Sequence, residues 1–184
     1  MHENNSLLIG LNKPRGVICS HKDEKGRPCI YDLLPKTIIK EFKSTIHSVG
    51  RLDFNSQGLI LMTNKPKIKY YLEKPSSKII RVYKAKIQGN LVRKHIEKIE
   101  KGIYVKNIPY KVVNIVITKK TSSYSWVNIV LNQGKNQHIR KIFSKLGFSV
   151  NKLIRIQYGP YKLSNLNTGQ TKRLNVTRIK LFNK

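Results

Sequence analysis

The sequence has few acidic residues: nine Asp and Glu stand against 37 Lys and Arg, which gives a formal net charge of +28. Beyond Glu100 there is no acidic residue at all, whereas seventeen Lys or Arg follow. A field of this sign favours a polyanion, because Lys and Arg neutralise phosphates and release their counterions. The composition therefore indicates nucleic acid as the partner.

Long apolar runs and cysteine clusters are also missing. No stretch approaches about 20 apolar residues, and no basic helix has a broad apolar face, so we expect no membrane contact. The N-terminus has no apolar leader with a cleavage site, so a cytoplasmic protein is the default expectation. Cys19 and Cys29 lack CxxC spacing and companion histidines, which argues against a zinc site.

The remaining pattern is that of one folded domain. With 184 residues, 39% of them apolar, the chain can bury a substantial core. Period-2 and period-3.6 patterns predict an α+β fold with more strand than helix and no repeats. The predicted strands cover 7–12, 17–20, 45–49, 58–63, 79–89, 110–120, 123–134 and 152–163, and the helices cover 66–72, 91–102 and 135–146.

Asp53 is one of only three aspartates in the chain, and it lies in VGRLDFNSQGL between two predicted strands. An aspartate after a strand commonly closes a turn through backbone amides. A functional interpretation is also open, because Gly50 and Gly58 allow close backbone approach, Arg51 lies two residues before Asp53 and the basic surroundings would attract a phosphate backbone. The local sequence alone leaves both interpretations open.

Two further segments allow either a structural or a functional interpretation. GKNQHIRKIF predicts a helix after Gly134 whose first-turn amides could meet an anion; a solvated basic helix is the alternative. It brings Lys135, His138, Arg140 and Lys141 together. In RVYKAKIQG, Tyr83 could pack across strands or stack on an extruded base beside a basic cleft.

Taken together, these segments resemble the pseudouridine synthases of the RsuA/RluB/RluE/RluF type, which isomerise uridine in ribosomal RNA. Five motifs match in order over about 150 residues. The matching segments are LNKPRGVICSHKDEKGRPCIYDLLP, VGRLDFNSQGLILMTN, RVYKAKIQG, GKNQHIRKIFSKLG and NKLIRIQYGPYKL.

The resemblance implies a role for each matching position. Asp53 would be the catalytic aspartate, and Tyr83 would stack on the target base and assist proton removal. Arg140 would pair with the aspartate and hold it ionised. Arg51 would enter the RNA stack or hold its backbone, and Leu153 would pack near the base. Further substrate-binding residues are expected at Lys13, Lys135, Asn136, His138 and Arg155.

The resemblance also implies the architecture and the requirements of the reaction. The family fold is a mixed, mainly antiparallel sheet with flanking helices and a central catalytic cleft. We expect residues 1–184 to form a single catalytic domain that works as a monomer on ribosomal RNA or on a ribosome-assembly intermediate. Isomerisation involves no net redox change, so no cofactor or metal is expected.

The sequence departs from the family pattern at a few positions. Gln133 and Gln137 occupy places where the family often has Glu and Arg, which affects expected RNA contacts, and Ser56 replaces the usual Thr. Many relatives carry an N-terminal S4 RNA-binding domain, which we do not expect here. That layout is nearest to the RluE branch, which acts on large-subunit rRNA.

Two other classes of protein remain as alternatives. A non-catalytic rRNA-binding or ribosome-assembly protein would need only the charge and a basic helix. A DNA-binding module is less well supported, because no helix-turn-helix or finger pattern is present. A pure binding protein needs no carboxylate in an electropositive cleft, so Asp53, Tyr83 and Arg140 in matching contexts favour the enzyme.

Overall fold

One large mixed sheet dominates the computed structural model, which describes residues 6–42 and 46–179. In this part of the chain the strand order is β11-β1-β3-β9-β4-β8-β7, with β2 paired to β3 and β10 to β9. All pairs are antiparallel except β3 with β9. The strands are β1 (Leu8–Lys13), β2 (His47–Val49), β3 (Gln57–Thr63), β4 (Arg81–Gln88), β5 (Ile103–Val105), β6 (Ile108–Tyr110), β7 (Asn114–Lys120), β8 (Tyr124–Leu131), β9 (Val150–Tyr158), β10 (Tyr161–Lys162) and β11 (Thr171–Arg173).

Four α-helices among the described residues pack against this sheet, and they are divided between its faces. The helices are α1 (Lys36–Phe42), α2 (Pro66–Glu73), α3 (Arg93–Lys101) and α4 (His138–Lys145). Buried residues of α1, α3 and α4 join one hydrophobic cluster, and those of α2 join another. Both clusters draw on alternate residues of the same strands, so both faces of β1 and β3 are buried, as expected for central strands.

The parallel contact between β3 and β9 depends on one glycine. Gly58 pairs with Arg155 and has φ +104°. A Cβ at this position would lie 2.3 Å from the carbonyl oxygen of Arg155, which no side chain can tolerate. Glycine therefore permits the close approach that brings the chain following residue 53 against β9.

Most of the predicted elements are confirmed. The alternating pattern of β4, the β7–β8 hairpin, α2 and α3 all lie where their sequence periods indicate, and Gly102 ends α3 as predicted. The segment 45–49 forms β2 from His47 onward, while Thr45 lies outside the described residues. The mixed, mainly antiparallel sheet with flanking helices is also confirmed.

Two predictions about elements were wrong, and several elements were not predicted. Residues 17–20 are not a strand, because Ile18 makes only an isolated bridge to Cys29. The last helix begins at His138 rather than Lys135, since Gln137 takes a left-handed conformation with φ +50° that a continuing helix cannot contain. The helix α1, the β5–β6 hairpin and β11 were not predicted.

Candidate active site

Asp53 lies in the loop of residues 50–56 that connects β2 to β3, here called the Asp53 loop. A turn closes it, in which Ser56 N donates to the carbonyl oxygen of Asp53 at 2.9 Å. The backbone therefore closes the turn and leaves the carboxylate to other contacts. Its side chain is 36% exposed, so the carboxylate lies at the surface of the site.

Side chains from distant parts of the chain fix the Asp53 loop. Gly50 N donates to Glu73 Oε1 at 2.7 Å, and Leu52 N donates to Cys19 Sγ at 3.3 Å. On the other side, Lys13 Nζ donates to Ser56 O at 2.9 Å. Three separate segments thus hold the backbone on both sides of Asp53, which places the carboxylate in a defined position.

Arg140 of α4 provides the counter-charge. Its Nε lies 3.8 Å from Asp53 Oδ2, the distance of an ion pair rather than of a hydrogen bond. Nη1 donates to Val150 O at 2.9 Å, and Nη2 reaches Asn55 O at 3.4 Å. Burial lowers the pKa of Arg140 from its ordinary value, and Asp53 opposes that shift. The guanidinium therefore joins the start of β9 to the Asp53 loop.

Tyr83, Leu153 and Arg155 form the floor beneath the carboxylate. They lie on adjacent strands β4 and β9, and their exposed fractions are 9%, 5% and 2%. A register shift between Val82 and Tyr83 pairs Tyr83 with Arg155. Arg155 Nη1 reaches Tyr83 Oη at 3.5 Å, and Arg155 Nε donates to Leu59 O at 2.7 Å. The sheet thus supplies an aromatic face and an apolar side chain.

These residues border a cleft of about 830 Å³. The cleft is lined by Asp53, Tyr83, Leu153 and Arg155, and also by the exposed side chain of Arg51. The opposite wall consists of Lys135 and Asn136, which precede α4, and of His138, the first residue of α4. Arg140 lies behind this wall, in contact with Asp53. The structure therefore brings nine of the ten predicted site residues to one cleft or to its edge.

His138 is held as a neutral imidazole within the wall. It is 4% exposed and packs edge-on against Tyr110, with ring centroids 5.1 Å apart. Burial, and secondarily the positive charge of Lys135, lower the pKa of His138 to about 4. At neutral pH it therefore carries no charge, and both of its ring nitrogens are buried.

The position of Lys13 does not fit its predicted role as a substrate contact. Its side chain is 0% exposed, and Nζ donates to Pro14 O and to Ser56 O, both at 2.9 Å. Burial lowers its pKa from the ordinary value, partly opposed by Cys19 and Asp53. Because the ammonium is enclosed beneath the Asp53 loop, Lys13 supports that loop and does not face a ligand.

Comparison with known proteins identifies this arrangement. A model of the RNA pseudouridylate synthase family matches residues 8–145. The chain belongs to this family. It is 38% identical over 168 residues to an RNA pseudouridine synthase of Rickettsia typhi, and 35% identical over 186 residues to the ribosomal large subunit pseudouridine synthase B of Buchnera aphidicola subsp. Schizaphis graminum. The resemblance to the RsuA/RluB type is thereby confirmed.

The chain spans about two thirds of the length of these relatives. The alignment with the Rickettsia protein covers 88% of the chain but 64% of that relative, and the alignment with the Buchnera protein covers 99% and 71%. A pseudouridylate synthase of known crystal structure superposes with a TM-score of 0.84 at 24% identity, over 96% of the chain and 73% of that structure. The α+β pseudouridine synthase fold is therefore confirmed.

The cleft also contains residues that sequence patterns did not indicate. Glu73 of α2 binds the amide of Gly50 and is bonded by Lys69 Nζ at 2.6 Å. The rings of His21 and Tyr31, which also line the cleft, stack with centroids 3.7 Å apart. These residues come from one segment before Asp53 and one helix after it, so their positions at the cleft depend on the tertiary fold.

Neither a metal site nor a membrane-spanning helix is present among the described residues. In the parts of the chain that the structure describes, no group of three or more His, Cys, Asp or Glu is arranged to bind a metal ion. No helix there is both long and apolar enough to cross a membrane.

Proposed function

We propose that this chain is an rRNA pseudouridine synthase in which Asp53 is the catalytic carboxylate. One observation carries the proposal: the partly exposed carboxylate of Asp53 is paired with Arg140 at the edge of a cleft whose floor is Tyr83 and Leu153. A chain that only binds RNA gains nothing from a carboxylate fixed by so many contacts in an electropositive cleft.

The reaction accounts for these residue types. The N1–C1′ bond of uridine breaks, the uracil turns, C5 bonds to C1′, C5 loses its proton and N1 gains one. Atoms and electrons balance without an oxidant, a reductant or a phosphate donor. The proposed reaction therefore requires no cofactor or metal. Asp53 would act on C1′ or on the neighbouring proton, as an ionised carboxylate can.

Arg140 would keep Asp53 charged and correctly oriented during this sequence. Its two other contacts fix the guanidinium to the backbone of β9 and of the Asp53 loop, so its position does not depend on the substrate. A preorganised charge of this kind needs no rearrangement as the reaction proceeds.

The target uridine must leave its stack to reach Asp53. Extrusion costs a few kcal/mol, which stacking on Tyr83 and contacts with Arg51 would offset. Leu153 would pack against the base. Tyr83 would also assist removal of the C5 proton through its hydroxyl, which lies near the guanidinium of Arg155. Lys135 and Asn136 on the opposite wall would contact the RNA backbone.

The proposed substrate is large-subunit rRNA, free or in an assembly intermediate. The similarity to a ribosomal large subunit pseudouridine synthase B supports this choice. Asp53, Tyr83 and Arg140 all come from this one chain, so we propose that a monomer is active.

Replacing Asp53 by Asn tests the proposal. Release of tritium from [5-³H]uridine in large- and small-subunit rRNA transcripts measures loss of the C5 proton directly. We expect Asp53→Asn to lower turnover by about 10³-fold or more, because it removes the reacting charge without changing the shape. RNA affinity should remain within a few-fold.

The control is Glu97→Gln, which also removes one carboxylate from an Arg–acid pair, here the exposed pair with Arg93. It should keep full turnover. If the Asn variant retained wild-type turnover, Asp53 would not be the catalytic group. If the wild-type chain bound rRNA and released no tritium from any transcript, a non-catalytic rRNA-binding protein would be the better description.

A further inference from the structure

The outer face of the sheet carries a cluster of lysines and aromatic rings. Alternate residues of a strand face opposite sides, so Lys84 and Lys86 point away from the cleft that Tyr83 faces. Their cross-strand neighbours on β7, β8 and β9 face the same way. We call this set the outer-face cluster: Lys84, Lys86, Lys119, Tyr124, Trp126 and Lys152.

The aromatic rings hold two of these ammonium groups in place. Lys84 Nζ lies 5.0 Å from the centroid of the Trp126 ring, and Lys86 Nζ lies 4.0 Å from that of Tyr124. Both are cation–π contacts. A lysine resting on a ring loses part of its freedom before any ligand arrives, so less is lost when it binds an anion.

The cluster has no internal counter-charge. Strands β4, β7, β8 and β9 contain no Asp or Glu, and the ion pairs recorded between described residues all lie elsewhere. Lys86 and Lys152 are direct cross-strand partners, an arrangement of like charges that destabilises a sheet. A bound anion would remove that repulsion.

The described part of the chain does not bury this face in a core. Neither hydrophobic cluster includes a member of the outer-face cluster. Lys84, Lys119 and Lys152 are exposed, and Trp126 is half-buried. The face is therefore open to a partner.

We propose that the outer-face cluster binds the phosphate backbone of a second RNA segment, separate from the one that enters the cleft. Lysines act as point charges toward phosphate, and a row of them without acids suits a repeating anion. The proposal rests on the proposed function only in taking RNA as the partner. It would give a long rRNA two contacts, on opposite faces of one sheet.

Salt dependence of binding tests the proposal. The variant K84Q/K86Q and the control K98Q/K101Q, on the exposed side of α3, lose the same charge. Anisotropy of a labelled rRNA fragment is measured between about 50 and 200 mM salt. We expect the dependence of log K on log salt to become less steep in K84Q/K86Q, with the magnitude of the slope smaller by about 1.5. Each lost phosphate contact lowers that magnitude by about 0.7–0.9. The control should keep the wild-type slope.

The single tryptophan of the chain provides a second readout in the unmodified protein. Trp126 lies in the cluster, so a long rRNA fragment should change its fluorescence, whereas a short hairpin that fills only the cleft should not. Acetylation followed by mass spectrometry should show RNA protecting Lys84, Lys86 and Lys152 but not Lys98.

Three outcomes would overturn the proposal: equal slopes for the two double variants, unprotected cluster lysines, or equal protection by polyglutamate, which would indicate an acidic protein partner. None depends on turnover. A wild-type chain without tritium release would refute the proposed function while the slopes and the footprint could still be read.

Discussion

The two faces of β4 and β9 show how differently one pair of strands can be used. On the cleft face, Tyr83, Leu153 and Arg155 are almost fully buried and are fixed by specific contacts. On the outer face, Lys84 and Lys152 are exposed and meet other chemical groups only at ring faces or in solvent. The cleft-face residues thus depend on their exact positions for their role, whereas the outer-face lysines depend on their charge. Substitutions on the cleft face should change rates and stability, and those on the outer face should change mainly binding to long RNA.

The largest effect after that of Asp53 is expected at Arg140. Arg140→Met should lower turnover by about 10²–10³-fold with little loss of RNA affinity, because it removes the charge that orients Asp53. Arg140→Lys keeps the charge but cannot make the three separate contacts, so it should recover only part of the rate. Single-turnover kinetics on an rRNA transcript measure both. A Met variant with the wild-type rate constant would refute the positioning role.

Gly58→Ala should disturb the cleft face through the backbone. The added Cβ would overlap the carbonyl of Arg155, so we expect a loss of about 3 kcal/mol or more in the free energy of unfolding. Urea denaturation measures it. Gly147→Ala is the control, since its φ is +80° but no atom lies within 4 Å of the added Cβ; it should cost only about 1–2 kcal/mol. Equal losses would mean that close packing of β3 on β9 is not what requires glycine.

His138 should make stability depend on pH. Its folded pKa is about 4 and its ordinary value is 6.5, so between these values the unfolded chain binds more protons and stability falls as the pH falls. From pH 7 to pH 4 this contributes at most about 3 kcal/mol. In His138→Gln the decrease should be smaller by that amount, as measured by urea denaturation at several pH values. Parallel curves for the two proteins would show that the imidazole is not desolvated.

The sequence was informative for most elements that have a strong local pattern. The alternation of β4 and the spacing of Ile139, Ile142 and Phe143 predicted the elements and their buried sides correctly. The helix α1 was missed although Ile38 and Phe42 have helical spacing after Pro35. The prediction of a strand at residues 17–20 was wrong because the backbone of Ile18 forms hydrogen bonds with Pro28 and Ile30 in a loop.

Positions that depend on tertiary contacts could not be predicted in this way. Nothing in the local sequence distinguishes Lys13 from a surface lysine. Only the fold shows that its ammonium is enclosed beneath Ser56. The contact of Glu73 with Gly50 joins α2 to the Asp53 loop, and no local pattern marks it. The motif order indicated Asp53, Tyr83 and Arg140 together, but the distance between Asp53 and Arg140 required the structure.

The smallest effect is expected when the outer face meets a substrate too short to reach it. For a hairpin of about 20 nucleotides that only fills the cleft, K84Q/K86Q should change kcat/KM by less than about threefold, because the remaining field is nearly the same and the lost lysines face away. For a long rRNA transcript the same variant should raise KM and leave kcat unchanged, since the contact is made equally in the ground and transition states. A fall in kcat on the hairpin would show that the outer face acts through the strands on Tyr83 or Leu153, and the two faces would then not be independent.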